Sequence, residues 1–277
     1  MVKGLYTAYT GMINEQHRMD VLTNNLANAN TNGYKKEGAT AQSFKDQLAL
    51  KIKDYTDAPH TVRGLGIINP GVKIGEGYVD WTEGPLRETN NTFDLAIGGD
   101  GFFAIDYTNK AKNIQRDTAG IKKVMYTRDG NFELNSEGFL VTQDGDFVLG
   151  KDGSSIQLDP SLPATINTLG IIYQDGQRKG QVGVYDFDKV TYPDGVKAYN
   201  VLEHYAENSF VPVDGAEAKA LETPTVYTGF LEQSNVSVVD EMVTMIAVQR
   251  NYDTNQRMIT TIDGTLDIAA NQLGRLS

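Results

Sequence analysis

Residues able to do chemistry are present, but their spacing organises none of it. The three histidines, His17, His60 and His204, have no second histidine at metal-ligand spacing. His17 falls on the polar side of a helical stretch, where a solvated imidazole is the ordinary state. Asp144 and Asp146 begin like a calcium loop. Val148 then fills the next ligand position and Leu149 stands where that loop needs glycine, so turn residues of a hairpin describe the segment better. Gly98-Gly99-Asp100-Gly101 has the glycine density of a phosphate cradle. It lacks the lysine, and strand-like Phe102-Phe103-Ala104-Ile105 follows instead of a helix, so a tight hairpin is expected. Among 36 Asp and Glu residues no carboxylate pair is singled out, and no nucleophile elbow is present. The chain has no cysteine, which removes disulfides and thiolate zinc sites. Such a chain crosses an oxidising space without mispairing. The expectation is a protein with no catalytic, cofactor-binding or metal-binding residues, no cofactor and no small-molecule substrate.

Composition bounds the partners. Hydrophobic residues make up 40% of the 277, a globular value. The net charge of −11 is unevenly spread: 7 Lys/Arg against 6 Asp/Glu in residues 1–60, 15 against 24 in 61–224, and 3 against 6 in 225–277. No basic face for a phosphate backbone emerges, so nucleic acid is not an expected partner. The acidic middle reads as a solvated surface. The opening Met1-Val2-Lys3-Gly4-Leu5-Tyr6 has no apolar run of signal-peptide length, so a Sec-type exit is not expected. No segment approaches the roughly 18 apolar residues of a membrane span.

What would have to position any site is a layout of two helical ends around a strand-rich middle. Over residues 3–29, Leu5, Tyr9, Met12, Met19, Leu22, Leu26 and Ala29 recur at steps of 3, 4 or 7 and form one stripe, interrupted by Gln16. Asn14, Glu15, Arg18, Asp20, Asn24 and Asn25 fill the other face. Asn28, Asn30, Asn32 and Gly33 mark the stop. Asparagines here suit either helix termination or amide bonding between subunits. A second helix is predicted over 238–275, opened by the capping-box spacing of Ser237 and Asp240. Its stripe is Val239, Met242, Ile246, Ile259, Ile262, Leu266, Ala269, Leu273 and Leu276, around a polar stretch from Gln249 to Arg257 in which Tyr252 is the large contact. Long helices with near-heptad stripes pack against other helices.

From about 75 to 228 the pattern is short β-branched and aromatic runs broken by turns. Asp129-Gly130, Glu137-Gly138, Asp144-Gly145 and Asp152-Gly153 recur every 7 or 8 residues and predict successive antiparallel hairpins. Trp81, Phe93, Phe102, Phe103, Phe132, Phe139 and Phe147 supply a core. The fold class is therefore α+β: long N- and C-terminal helices forming a coiled-coil stem, with an inserted antiparallel β domain, sandwich- or barrel-like. The division is 1–33 with 237–277 as the helical domain, 34–74 as a connector of unassigned structure, and 75–236 as the β domain. Leu5, Tyr9, Met12, Met19, Leu22, Leu26, Val239, Met242, Ile246, Ile259, Ile262, Leu266 and Leu273 form the expected assembly interface, because two helices alone leave much apolar surface exposed.

Three stretches carry a family resemblance. Leu22-Thr23-Asn24-Asn25-Leu26-Ala27-Asn28-Ala29-Asn30-Thr31-Asn32-Gly33-Tyr34-Lys35, with Thr10-Gly11-Met12 and Arg18-Met19-Asp20-Val21 before it, resembles the N-terminal signature of flagellar rod and hook proteins. Leu231-Glu232-Gln233-Ser234-Asn235-Val236 and Met245-Ile246-Ala247-Val248-Gln249-Arg250-Asn251-Tyr252 resemble the C-terminal signature. Asp94 to Phe103 and Tyr126 to Phe132 resemble the core β segment, while 155–224 matches nothing. The resemblance implies a basal-body rod subunit whose helices line a coiled-coil tube and whose β domain lies outside. It also implies helical self-assembly into a drive shaft and exit through the flagellar type III export apparatus. Its implied partners are copies of itself and neighbouring rod and hook proteins, in an extracytoplasmic, envelope-spanning position. The long linker from Lys35 to Leu86 resembles the distal rod member, whereas Asn271 to Ser277 resembles a proximal one; the distal position is expected. A proximal or hook-related axial protein is the alternative within the family. A secreted β-domain enzyme or adhesin with helical arms is the alternative outside it.

Overall fold

The computed structural model describes residues 2–51, 63–107, 124–188, 190–191, 197–199, 201–206, 208–213 and 215–271. These fall into two units, the first of residues 1–27, 37–78 and 237–277, the second of 28–36 and 79–236. No helix among the described residues is long and apolar enough to cross a membrane.

The first unit is built on two helices, α1 (Val2–Ala27) and α2 (Val238–Asn271). α2 starts directly after Ser237, and Asp240 and Glu241 in its first turn favour the positive end of the helix dipole. The helices pair antiparallel. Gly4 faces Ile262, Gly11 faces Asn255, and Asn25 reaches Glu241. Along α2 the protected positions are Glu241, Met245, Val248, Tyr252, Asn255, Ile259, Ile262, Leu266 and Ala269, which alternate steps of 4 and 3. That is the 3.5-residue period of a helix-pair seam.

The polar stretch of α2 therefore stays in the seam, through Tyr252 and Asn255. Gly11 lies opposite, where a Cβ would stand 3.0 Å from the Asn255 amide nitrogen. A second layer covers α1. Strands Glu37–Ser43 and Val72–Val79 pair with each other, as do Gln47–Lys51 and Arg63–Ile68, so the segment read as a connector forms β ribbons. Asn25 pairs with the backbone of Glu37 in both directions, its amide donating to the carbonyl at 2.8 Å and its oxygen accepting the N–H at 2.9 Å. The expected polar face of α1 is accordingly not all solvated, and Asn14 and Asn25 are buried. The asparagine at this position is spent inside the chain.

The second unit centres on strand Phe102–Asp106, buried along its whole length. It lies in a nine-stranded antiparallel sheet, between Val124–Thr127 on one side and Phe147–Val148 with Val184–Asp186 on the other. Successive side chains of a strand face opposite ways. Phe103 thus enters one core cluster with Leu95, Phe132, Leu140, Val148 and Ile172. Phe102 and Ala104 enter the other, with Tyr126, Phe187, Tyr199 and Phe210. Trp81 packs edge-on against Phe102 in the second cluster, while Phe139 and Phe147 contact each other half-buried.

Three of the four Asx/Glu-Gly pairs turn as expected. Gly138 joins Phe132–Leu134 to Leu140–Thr142, Gly145 joins that strand to Phe147–Val148, and Gly153 sits under the Leu149–Ser155 bridge, all with positive φ. Asp129-Gly130 does not. Its flanking strands pair elsewhere, and Gly130 is pressed against the Leu95 carbonyl, 1.6 Å from where a Cβ would stand. Gly98-Gly99-Asp100-Gly101 is also not a hairpin. Leu95–Gly98 pairs with Thr225–Thr228, so the glycines turn a corner between two sheets.

Candidate assembly surface

Of the thirteen residues expected at an assembly surface, the twelve among the described residues divide between two faces of the helix pair. Ile259, Ile262 and Leu266 are partly buried in the α1–α2 seam. Leu5, Met12, Met19, Leu22 and Leu26 are likewise partly covered. Val239, Met242 and Ile246 lie off the seam, and together with Val238 and Val243 they form an apolar face on the first turns of α2. Exposure there is 71% at Val239, 62% at Val243 and 53% at Ile246. On α1, Tyr9 is exposed beside Tyr6 and Ile13. Leu273 and Leu276 lie outside the described residues. A helix with apolar residues on two faces has buried one within its own chain and left the other for something else. The sequence stripe merged the two, because steps of 3 and 4 do not distinguish a seam from the face beside it.

A group that spacing did not reveal lies in the second unit. Glu232 is buried with Lys35 and Arg128, their side chains 1–3% exposed. Lys35 Nζ donates to Glu232 Oε1 at 2.6 Å and to the Thr82 carbonyl at 2.7 Å. Gly84 N–H donates to Oε1 at 3.0 Å, and Arg128 Nη1 to Oε2 at 3.4 Å. Arg128 also stacks over Phe102 at 5.2 Å, where the ring face attracts the cation. Burial lowers the Lys35 pKa, with Arg128 adding to the fall and Glu232 opposing it. The Glu232 carbonyl accepts the Gly33 N–H at 2.8 Å. Gly33 holds φ of +67° with backbone of Arg128 and Asp129 where a Cβ would be, so no other residue fits. The group is turned away from solvent, with two cations sharing one carboxylate and the Arg128 guanidinium also facing the Phe102 ring.

Beside it lies a cavity of about 420 Å³ lined by Thr127, Asp129, Thr142, Asp144, Asp146 and Asn208, among others. Asp129 is pushed up to about 6 by burial, with Asp144 and Asp94 adding to the rise. The Asn131 N–H and the Asn208 side chain oppose it. His204 sits on strand Leu202–Ala206 with its ring 5.4 Å from Phe210, and His60 lies outside the described residues.

Comparison with known proteins aligns with these parts. The flagella basal body rod protein family matches residues 5–35, the flagellar hook protein FlgE/F/G D1 domain matches 96–177, and the flagellar basal body rod FlgEFG protein C-terminal family matches 227–273. Lys35, Arg128 and Glu232 fall one in each. The flagellar basal-body rod protein FlgG of Bacillus subtilis is 33% identical over 98% of this chain and 99% of its own length. The flagellar basal-body rod protein FlgF of Caulobacter vibrioides is 31% identical over 100% and 98%. The flagellar hook-basal body complex protein FlhO of Bacillus subtilis is 29% identical over the full length of both chains.

Proposed function

This chain belongs to the flagellar basal-body rod proteins, and from that premise we propose that it builds the rod by stacking the exposed face of its helix pair against further copies and against neighbouring rod and hook subunits. Membership makes it a structural component of the rod and not an enzyme. The observation carrying the assembly reading is the apolar face Val238, Val239, Met242, Val243 and Ile246, left uncovered although the other side of α2 is paired along its length. In this reading the helix pairs form the coiled-coil wall of the shaft, the seam residues such as Ile259, Ile262 and Leu266 holding each pair together and Val239, Met242 and Ile246 joining it to the next. A contact that repeats without closing generates a helical shaft. Interdigitated apolar side chains make such a shaft stiff, because close-packed interiors resist compression.

We place the chain in the distal rod on the length of the segment between Lys35 and Leu86. We also infer passage through the flagellar export apparatus to an extracytoplasmic position. Mass spectrometry of the subunit from purified basal bodies tests the export reading, which expects α1 intact; a chain starting beyond Asn30 overturns it. Labelling a tagged copy in those basal bodies tests the distal position.

Ile246→Asp tests the interface. The side chain is 53% exposed, so the substitution spares the α1–α2 seam. The purified variant should keep wild-type helicity and melting yet fail to enter basal bodies, leaving cells non-motile. Normal incorporation would show that this face is not the interface. Leu26→Asp is expected to block incorporation too, but it also disturbs packing, since Leu26 is partly buried.

A further inference from the structure

Four times the chain changes unit, and three of those passages run side by side within the second unit: the stretch leading to residue 36, the stretch starting at residue 79 and the stretch ending at residue 236. A closed ring of hydrogen bonds joins them. Asp80 N–H donates to the Lys36 carbonyl at 2.8 Å. Lys36 N–H donates to Asn235 Oδ1 at 2.7 Å. The Asn235 amide nitrogen donates to the Asp80 carbonyl at 2.9 Å and to the Thr82 carbonyl at 3.2 Å. One amide side chain thus bonds the backbones of both other passages. Next to it the Lys35–Glu232 pair joins the first passage to the third, and Lys35 to Thr82 and Gly84 to Glu232 join both to the second.

We propose that Asn235 and the Lys35–Glu232 pair form a tie that carries force and locks the three passages into one mechanical element. This rests on the reading of the chain as a subunit of a rotating shaft. Stability alone is a poor reason for the arrangement. Well-packed apolar residues commonly stabilise as well as or better than a buried ion group. What apolar packing does not supply is direction, and three strands held by dispersion alone slide past one another under force. Directional bonds, buried at Lys35–Glu232 and partly covered around Asn235, fix the three passages in register and strengthen one another. Torque reaching a subunit enters the second unit through these covalent passages. Untied, each strand would take force singly and peel; tied, they take it in parallel.

Hydrogen exchange on the purified full-length protein tests the tie first. The amides of Gly33 and Lys36 in the first passage and of Asp80 and Gly84 in the second should open with one common free energy and one denaturant dependence. Widely different opening energies in the unsubstituted protein would overturn the proposal without any variant. Asn235→Ala should then speed exchange about tenfold at all four amides while leaving Phe102–Asp106 unchanged, and Asn235→Asp, which sets a carboxylate oxygen against the Asp80 and Thr82 carbonyls, should do no less. A change confined to Lys36 would show the bonds to be independent. In cells, motors carrying Asn235→Ala should assemble normally and turn normally at low load but stall at lower torque. A wild-type torque–speed curve with that variant in place overturns the mechanical role. Absence of the unsubstituted protein from basal bodies would instead overturn the rod reading.

Discussion

Asp129 holds its proton to a higher pH than an ordinary aspartate because burial and two neighbouring carboxylates penalise its charge. Its folded value of about 6 stands above the ordinary 3.8. The protonated form therefore favours folding. The stabilisation is complete below about pH 4 and is lost as pH rises through 6. Asparagine mimics the protonated side chain and keeps an oxygen for the Asn131 N–H, which bonds Asp129 at 3.1 Å. Asp129→Asn should therefore raise stability by roughly 2–3 kcal/mol at pH 8 but only by about 1 kcal/mol at pH 4.5. Denaturant melts at the two pH values check this, and an equal gain at both would mean that charge is not the cause. Nothing in the sequence announced this residue, which looked like half of an Asp-Gly turn. Lys35, Arg128 and Glu232 were equally silent, since 197 positions separate the first from the last. Charged residues at such separations carry no periodicity, and only the folded chain brings them together. The resemblance reached the segments that hold them without assigning them roles.

At the scale of elements, both helices, the limits of α1 and the start of α2 were legible, because apolar steps of 3 and 4 and the cap at Ser237 are local signals. α1 was expected over 3–29 and runs over Val2–Ala27; α2 opens at Val238 as expected. The partner of each face was not legible, since that depends on which glycines let the helices approach. Gly11 is the informative case. A Cβ at this position would stand 3.0 Å from Asn255 Nδ2, tight but at the end of a side chain that can move. Alanine should therefore be nearly neutral, its helix propensity of about 1 kcal/mol over glycine offsetting the crowding. Leucine has no such room. Gly11→Leu should lower the protection of α1 and α2 amides, and Asn255→Ala should restore part of it. A double-mutant cycle by hydrogen exchange reads the coupling, and strictly additive effects would place the two residues out of contact.

Across the whole molecule the two units are unequally furnished. Among the described residues, the buried apolar side chains of the first unit are Ala8 and Val248, alongside buried Asn14, Asn25 and Glu241. The second unit holds both core clusters, with Phe102, Phe103, Phe132, Phe210, Leu95 and Met125 essentially inaccessible. Long helices draw their stability from tertiary packing more than from propensity. A helix pair with so small a core, and an apolar face still exposed, gains most when another molecule covers that face. Dilute protein should therefore open in the first unit well before the second. Limited proteolysis should cut within 37–78 and beyond Ser237, leaving a resistant fragment close to 79–236 with 28–36 still held to it. Raising the concentration until subunits associate should protect the helices without altering the fragment, because association stabilises by mass action only the part that it orders. If both helices already resist protease and exchange slowly in a proven monomer, the pair is self-sufficient, and the exposed face on α2 owes its character to something other than assembly.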